Sequence, residues 1–258
     1  MIIANPPIDD AWPPVVARAA RREDGACRHL LVWRAGPGWR MVSSAVLGGG
    51  IGERHWVLNA QVRAGYSRMD PDRHLAELAA AQGLHGPGVG LMTAAEVDDG
   101  TRAADGGVHA VVTTGIGVPT WAADPARADG ATGFRPGTIN ILAVVPAPVA
   151  DAGLVNLLAT ATEAKVQALL DAGYDCSGTP SDAVCVAVRT PRAGEVADPF
   201  GGPRSTWGAR LARAVHQAVH EGALRDRARR SGGPVIPHER TGARCPVSDL
   251  RLAGPVPA

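Results

Sequence analysis

The sequence predicts an α/β fold: one domain with a mixed sheet covered by helices, in an α+β-like order. Three observations carry this. Short apolar, β-branched runs recur through the first half of the chain. Three segments, near 71–83, 151–172 and 206–230, show apolar residues at helical spacing. Strands and helices do not alternate evenly, which argues against a regular doubly wound sheet. With 258 residues, 45% of them hydrophobic, the chain is large enough to bury a real core. The expected division is an N-terminal extension over 1–27, a domain over 28–230, and a Pro/Gly-rich tail over 231–258.

Taken in order, 1–27 is proline-rich at first and then holds a basic segment, 15–22, that reads as a short helix. Residues 29–35 and 39–47 read as strands joined by Gly36-Pro37-Gly38. The run Gly48-Gly49-Gly50-Ile51-Gly52 leads into another strand, 55–59, so it reads as a turn or bulge and not as a phosphate cradle. Asp70-Pro71 opens a helix, with Asp70 as N-cap. Strands follow at 88–95 and 109–116. Residues 118–136 form a long loop. A strand begins at Gly137-Thr138-Ile139-Asn140 and runs to Val145. It is followed by the 151–172 helix, stopped by Gly173. A continuous apolar strand over 183–188, an extended stretch over 192–204 and a last helix complete the domain.

Net charge is +1, so no electrostatic footprint favours nucleic acid or membrane partners. No apolar stretch is long enough to span a bilayer, and no export signal is evident. The four cysteines lack C-x-x-C or zinc spacing and read as reduced thiols in a cytoplasm. His216 and His220 stand four apart on the last helix, but without a third ligand they read as a helix face, and no metal site is assigned.

Lys165 is the only lysine among 26 basic residues. An amine differs from a guanidinium in being a compact charge that can exchange its proton. Leu154, Leu157, Ala161, Ala164 and Ala168 make the apolar face of its helix, and Lys165 falls on that side, with Thr162 at the edge. Glu163 points to the polar face, where a salt bridge or subunit contact is the plain reading. The plain reading of Lys165 is a snorkelling rim residue. Ser177-Gly178-Thr179-Pro180-Ser181-Asp182 follows as a hydroxyl-rich turn.

Gly137-Thr138-Ile139-Asn140, Thr162-Glu163-Ala164-Lys165 and Ser177-Gly178-Thr179-x-x-Asp182-Ala183 resemble the adenosylcobinamide amidohydrolases, the CbiZ family. Ser43-Ser44 with the glycine run, Asn59 followed by Tyr66 and Asp70-Pro71, Gly90-Leu91-Met92-Thr93-Ala94, Thr114-Gly115, and Trp207-Gly208 with Arg213-Ala214 fall in the family's order. The likeness covers residues 43–224. It departs at Val118-Pro119, where the family carries an asparagine, and at Ser181, where a threonine is expected.

The resemblance implies a corrinoid-salvage enzyme. It would cleave the aminopropanol amide of adenosylcobinamide to adenosylcobyric acid and 1-amino-2-propanol, with the cobalt belonging to the substrate and no further cofactor. A non-catalytic corrinoid-binding or trafficking protein is the alternative. Amide cleavage needs a nucleophile, an oxyanion stabiliser and an acid, and no G-x-S-x-G elbow or Ser-His-Asp set is evident. The catalytic candidates are Lys165, for the oxyanion or proton transfer, Asp182, as its orienter or as base, Thr162 and Glu163. The substrate-binding candidates are Asn59, Tyr66, Thr113, Thr114, Asn140, Ser177 and Thr179, each of which has an ordinary packing or capping reading as well. A homo-oligomer is left open.

Overall fold

The computed structural model describes residues 14–124 and 137–231. The α/β class holds, with the strands divided between two stacked sheets and not gathered in one. In chain order the elements are β1 (Val16–Glu23), β2 (Ala26–Arg34), β3 (Trp39–Ser43), β4 (Gly50–Glu53), β5 (Trp56–Gln61), α1 (Pro71–Ala81), β6 (Gly88–Thr93), β7 (Thr101–Asp105), β8 (Val108–Gly115), β9 (Thr138–Val145), α2 (Asp151–Asp171), β10 (Ala183–Arg189) and α3 (Thr206–Arg230). One sheet has the order β1-β2-β5-β6, the other β4-β3-β10-β9-β8-β7. Among the strands of the described residues, β5/β6 and β9/β10 are the parallel pairs, each joined through a crossover helix, α1 and α2 respectively.

Side-chain alternation builds four layers. Leu30, Val32 and Leu58 pack under α1, while their neighbours Leu31, Trp33 and Val57 pack between the sheets. On the second sheet Leu142, Val144 and Cys185 face inward, and Ile141, Ala143, Val184 and Val186 face α2 and α3. A strand's two-residue period permits this only where both faces are apolar. β9 is buried at every position. Each fully buried leucine or isoleucine there contributes about 1.5–3 kcal/mol.

The expected helix over 15–22 is instead β1, paired with β2 from Val16 opposite Trp33 to Glu23 opposite Ala26. Asp24 and Gly25 turn the chain with φ of 50° and 75°, the dihedrals a two-residue Asp-Gly hairpin requires. Arginines suit a helix in isolation, but pairing with the apolar β2 decides the outcome. The Arg21 side chain is buried and donates to the Gln61 carbonyl at 2.7 Å.

The glycine run turns the chain at Gly48-Gly49, while Gly50-Ile51-Gly52 belong to β4 instead of the expected turn, and the turn also ties the sheets together. A Cβ on Gly48 would lie 1.8 Å from the Gly88 oxygen, and Gly90 N donates to Leu47 O at 3.0 Å. Asp70 occupies the N-cap position of α1 before Pro71, but its side chain makes no cap. Its carboxylate pairs with Arg68 at 2.8 Å instead. β4 and β7 are short strands that the sequence pattern did not reveal. The 125–136 part of the expected long loop lies outside the described residues, as do residues 1–13 of the extension and all but the first residue of the tail.

Candidate active site

The crossover β9–α2–β10 brings Lys165 and Asp182 together. α2 buries Leu154, Leu157, Ala161, Ala164 and Ala168 on the second sheet, and Lys165 lies on that same buried side. Its Nζ donates to Asp182 Oδ2 at 2.5 Å, with both side chains less than a tenth exposed. Asp182 accepts three further bonds: from Thr179 N to Oδ2 at 3.1 Å, from Thr179 Oγ1 to Oδ1 at 2.5 Å, and from Ile139 N to Oδ1 at 2.9 Å. A buried carboxylate so supplied with donors is held rigidly in place. Its lone pairs are committed, which suits it to orienting Lys165 better than to abstracting a proton. Gly178 is required beneath the pair, because a Cβ there would meet Asp182 Oδ2 at 2.2 Å and Lys165 Nζ at 2.6 Å.

Hydroxyls surround this pair. Thr179 Oγ1 also lies 2.8 Å from the Gly137 carbonyl oxygen, and Ser181 Oγ donates to the same oxygen at 2.9 Å. Thr138 Oγ1 is 2.6 Å from Ser181 Oγ. Ser177 Oγ donates to Thr120 O at 3.1 Å and accepts from Ala122 N at 2.8 Å. It thereby holds the 120–122 segment against the turn, together with Thr120 N to Gly178 O at 2.9 Å. Burial pushes the neighbouring Cys176 thiol above its ordinary range, so it is not a thiolate nucleophile at neutral pH.

A second polar cluster sits between the sheets. Asn59 Nδ2 donates to Thr113 Oγ1 at 2.9 Å, and Asn140 Nδ2 donates to Asn59 Oδ1 at 2.9 Å and to Met92 O at 3.0 Å. Asn140 stands opposite Thr113 across β8 and β9. The adjoining cavity is about 20 Å³, room for one water and not for a macrocycle edge. Asn140 Oδ1 is buried without a protein partner.

The other candidates lie elsewhere. Thr114 faces α3, where a Cβ on Gly222 would come within 2.4 Å of its hydroxyl. Tyr66 lies beside α1, bonded through its hydroxyl to His74 Nδ1 at 3.1 Å, on a cavity of about 360 Å³ lined by Arg21, Arg63 and Arg68. Thr162 is exposed and donates to Leu158 O at 3.0 Å. Glu163 is exposed on an open groove of about 470 Å³ between α2 and α3, with Gln167 and His216. His216 pairs with Asp171 at 2.8 Å. Among the described residues no three His, Cys, Asp or Glu side chains converge as a metal site. Lys165, Asp182, Thr179 and Ser177 are thus brought together. Thr138 and Ser181 join them without having been singled out from sequence, although both sit inside the quoted motifs.

The CbiZ family model, described as adenosylcobinamide amidohydrolase, matches residues 14–231. The chain belongs to this family. An adenosylcobinamide amidohydrolase of Methanosarcina mazei is 29% identical over 187 residues, covering 69% of this chain and 88% of its own. Another, of Halobacterium salinarum, is 38% identical over 135 residues, covering 50% and 55%. Among solved structures, a Pyrococcus horikoshii protein overlaps 83% of this chain and 82% of its own, with 10% identity and a TM-score of 0.44. That overlap is too loose to bear on function. The family match begins at residue 14, so it includes β1 and the strand pairing described above.

Proposed function

We propose that the protein hydrolyses the amide joining the corrin propionate to the aminopropanol arm of adenosylcobinamide, giving adenosylcobyric acid and 1-amino-2-propanol. The observation that carries this reading is the buried Lys165–Asp182 pair, set against a hydroxyl-rich turn inside a CbiZ-family chain. The cobalt arrives with the substrate and leaves with the acid, and the protein contributes no metal of its own. A cytoplasmic location is part of this reading, in keeping with the thiols of Cys176 and Cys185; no helix of the described residues is long and apolar enough to cross a membrane.

Two tasks fall to the chain's own groups. Lys165 retains donors beyond the one given to Asp182, and these neutralise the oxyanion that forms as the amide carbonyl becomes tetrahedral. Asp182 holds the ammonium in place through a carboxylate that is itself anchored to the Ile139 and Thr179 amides.

The test is time-dependent release of aminopropanol from adenosylcobinamide by the purified protein. Lys165→Arg keeps the charge and enlarges the group. It is expected to lower the rate about 10²-fold or more while leaving corrinoid binding measurable. Stoichiometric binding without release by the unaltered protein overturns the amidohydrolase reading in favour of a carrier.

A further inference from the structure

The Gly137–Thr138 peptide bond is surrounded by more hydroxyls than a strand end needs. On one side its carbonyl oxygen faces Thr179 Oγ1 and Ser181 Oγ, at 2.8 and 2.9 Å. On the other, Gly137 is pressed against backbone: a Cβ there would lie 2.6 Å from Gly117 N and 2.9 Å from Gly115 O. No other residue fits before Thr138, and the carbonyl is held fixed. Thr138 itself is the first residue of β9 and is 6% exposed, while Ser181, 2.6 Å from its hydroxyl, is exposed.

Each hydroxyl has one proton to donate, which sorts the contacts. Asp182 Oδ1, 2.5 Å away, accepts the Thr179 hydroxyl's hydrogen bond at rest. Ser181 then donates to the Gly137 oxygen and accepts from Thr138. The chain of bonds runs from the Thr138 hydroxyl to the carbonyl next to it. A hydroxyl linked through Ser181 to the carbonyl of its own peptide bond is a partner for intramolecular acyl transfer.

We infer that Thr138 cleaves its own peptide bond to Gly137. Thr138 Oγ1 bonds to the Gly137 carbonyl carbon, and its proton leaves through Ser181. The tetrahedral oxyanion is met by the Ser181 and Thr179 hydroxyls. The C–N bond then breaks, and the proton passes to the departing Thr138 nitrogen, leaving an ester between Gly137 and the Thr138 side chain. Water hydrolyses that ester, its hydroxyl going to the Gly137 carbonyl carbon and its proton to Thr138 Oγ1. The products are a chain ending in the Gly137 carboxylate and a chain beginning with a free Thr138 amine. No oxidant, metal or second protein is consumed.

The new amine stands beside the hydroxyl of the same residue, where it serves as general base for it. Thr138 then supplies the nucleophile for amide hydrolysis. This last consequence rests on the amidohydrolase reading; the cleavage does not.

The experiment is intact-mass analysis and N-terminal sequencing of the purified full chain, with no corrinoid present. Two polypeptides are expected, one of them beginning at Thr138. Thr138→Ser keeps the hydroxyl and still yields two. Thr138→Ala and Thr138→Val yield one, with circular dichroism spectra matching the unaltered chain. Ser181→Ala slows the appearance of the fragments about 10²-fold in a pulse-labelled cell-free synthesis. An unaltered chain that stays whole overturns the inference. So does cleavage in Thr138→Ala, or a fragment beginning at another residue, since an outside protease has no need of this hydroxyl. A whole chain that still releases aminopropanol sinks the cleavage and leaves the proposed function standing; a cleaved chain that releases none does the reverse.

Discussion

Asp182 accepts the backbone N–H of Ile139 at 2.9 Å, so the residue leading into β10 fixes the second residue of β9. Ile139 separates Thr138 from Asn140, and the lysine of α2 is thereby coupled to the peptide units where the hydroxyls gather. Asp182→Asn keeps the size and one carbonyl acceptor but leaves the Lys165 charge buried without its counter-ion. Removing one partner of a buried pair costs about 3–5 kcal/mol. Urea unfolding is expected to show a loss in that range, with aminopropanol release reduced alongside it. Unchanged stability would mean that Lys165 reaches solvent.

Asn59 is expected to act through packing. Asn59→Ala leaves the Asn140 amide with Met92 as its remaining acceptor and deprives Thr113 Oγ1 of its donor, both in a closed space. Stranded buried polar groups cost about 1–3 kcal/mol. We expect a lower melting temperature with KM for adenosylcobinamide unchanged. A raised KM at full stability would assign Asn59 to the substrate.

Acid stability should carry a signature from Glu195. Hydrogen bonds from Arg189 Nη1 and Nη2, at 2.8 and 2.5 Å, hold its carboxyl down at about 2, against an ordinary value of 4.5. A carboxyl depressed in the folded state stabilises fully above its unfolded pKa. That contribution is lost as pH falls from about 4.5 toward 2. Thermal melts of the unaltered chain and of Arg189→Met should therefore differ at neutral pH and converge across that acid window. A difference that persists at pH 2 would show that Arg189 stabilises by packing alone.

The placement of Lys165 was legible because α2 repeats its apolar residues at helical spacing over five turns, and only one face of such a helix can meet a sheet. The division into two sheets was not. Residues 139–145 are nearly all apolar, so their pattern does not distinguish a face that meets helices from one that meets another sheet. Thr138 and Ser181 do not stand out as site residues in the sequence for a different reason. Small hydroxyl residues are common at strand ends, and only the 2.6 Å approach across the crossover gives these two a meaning. β1 was misread although Asp24-Gly25 stood in plain view as a hairpin turn; the arginine content outweighed it.

Those arginines have a use of their own. β1 forms the border of its sheet, and Arg18 and Arg22 are exposed along it, Arg18 bridged to Asp98 at 2.9 Å. An open strand flank is a template on which another polypeptide can align, and charge along it discourages that alignment. Trimming the chain past residue 23 would bare the β2 flank that carries Leu31 and Trp33, leaving a sticky margin where a guarded one had been.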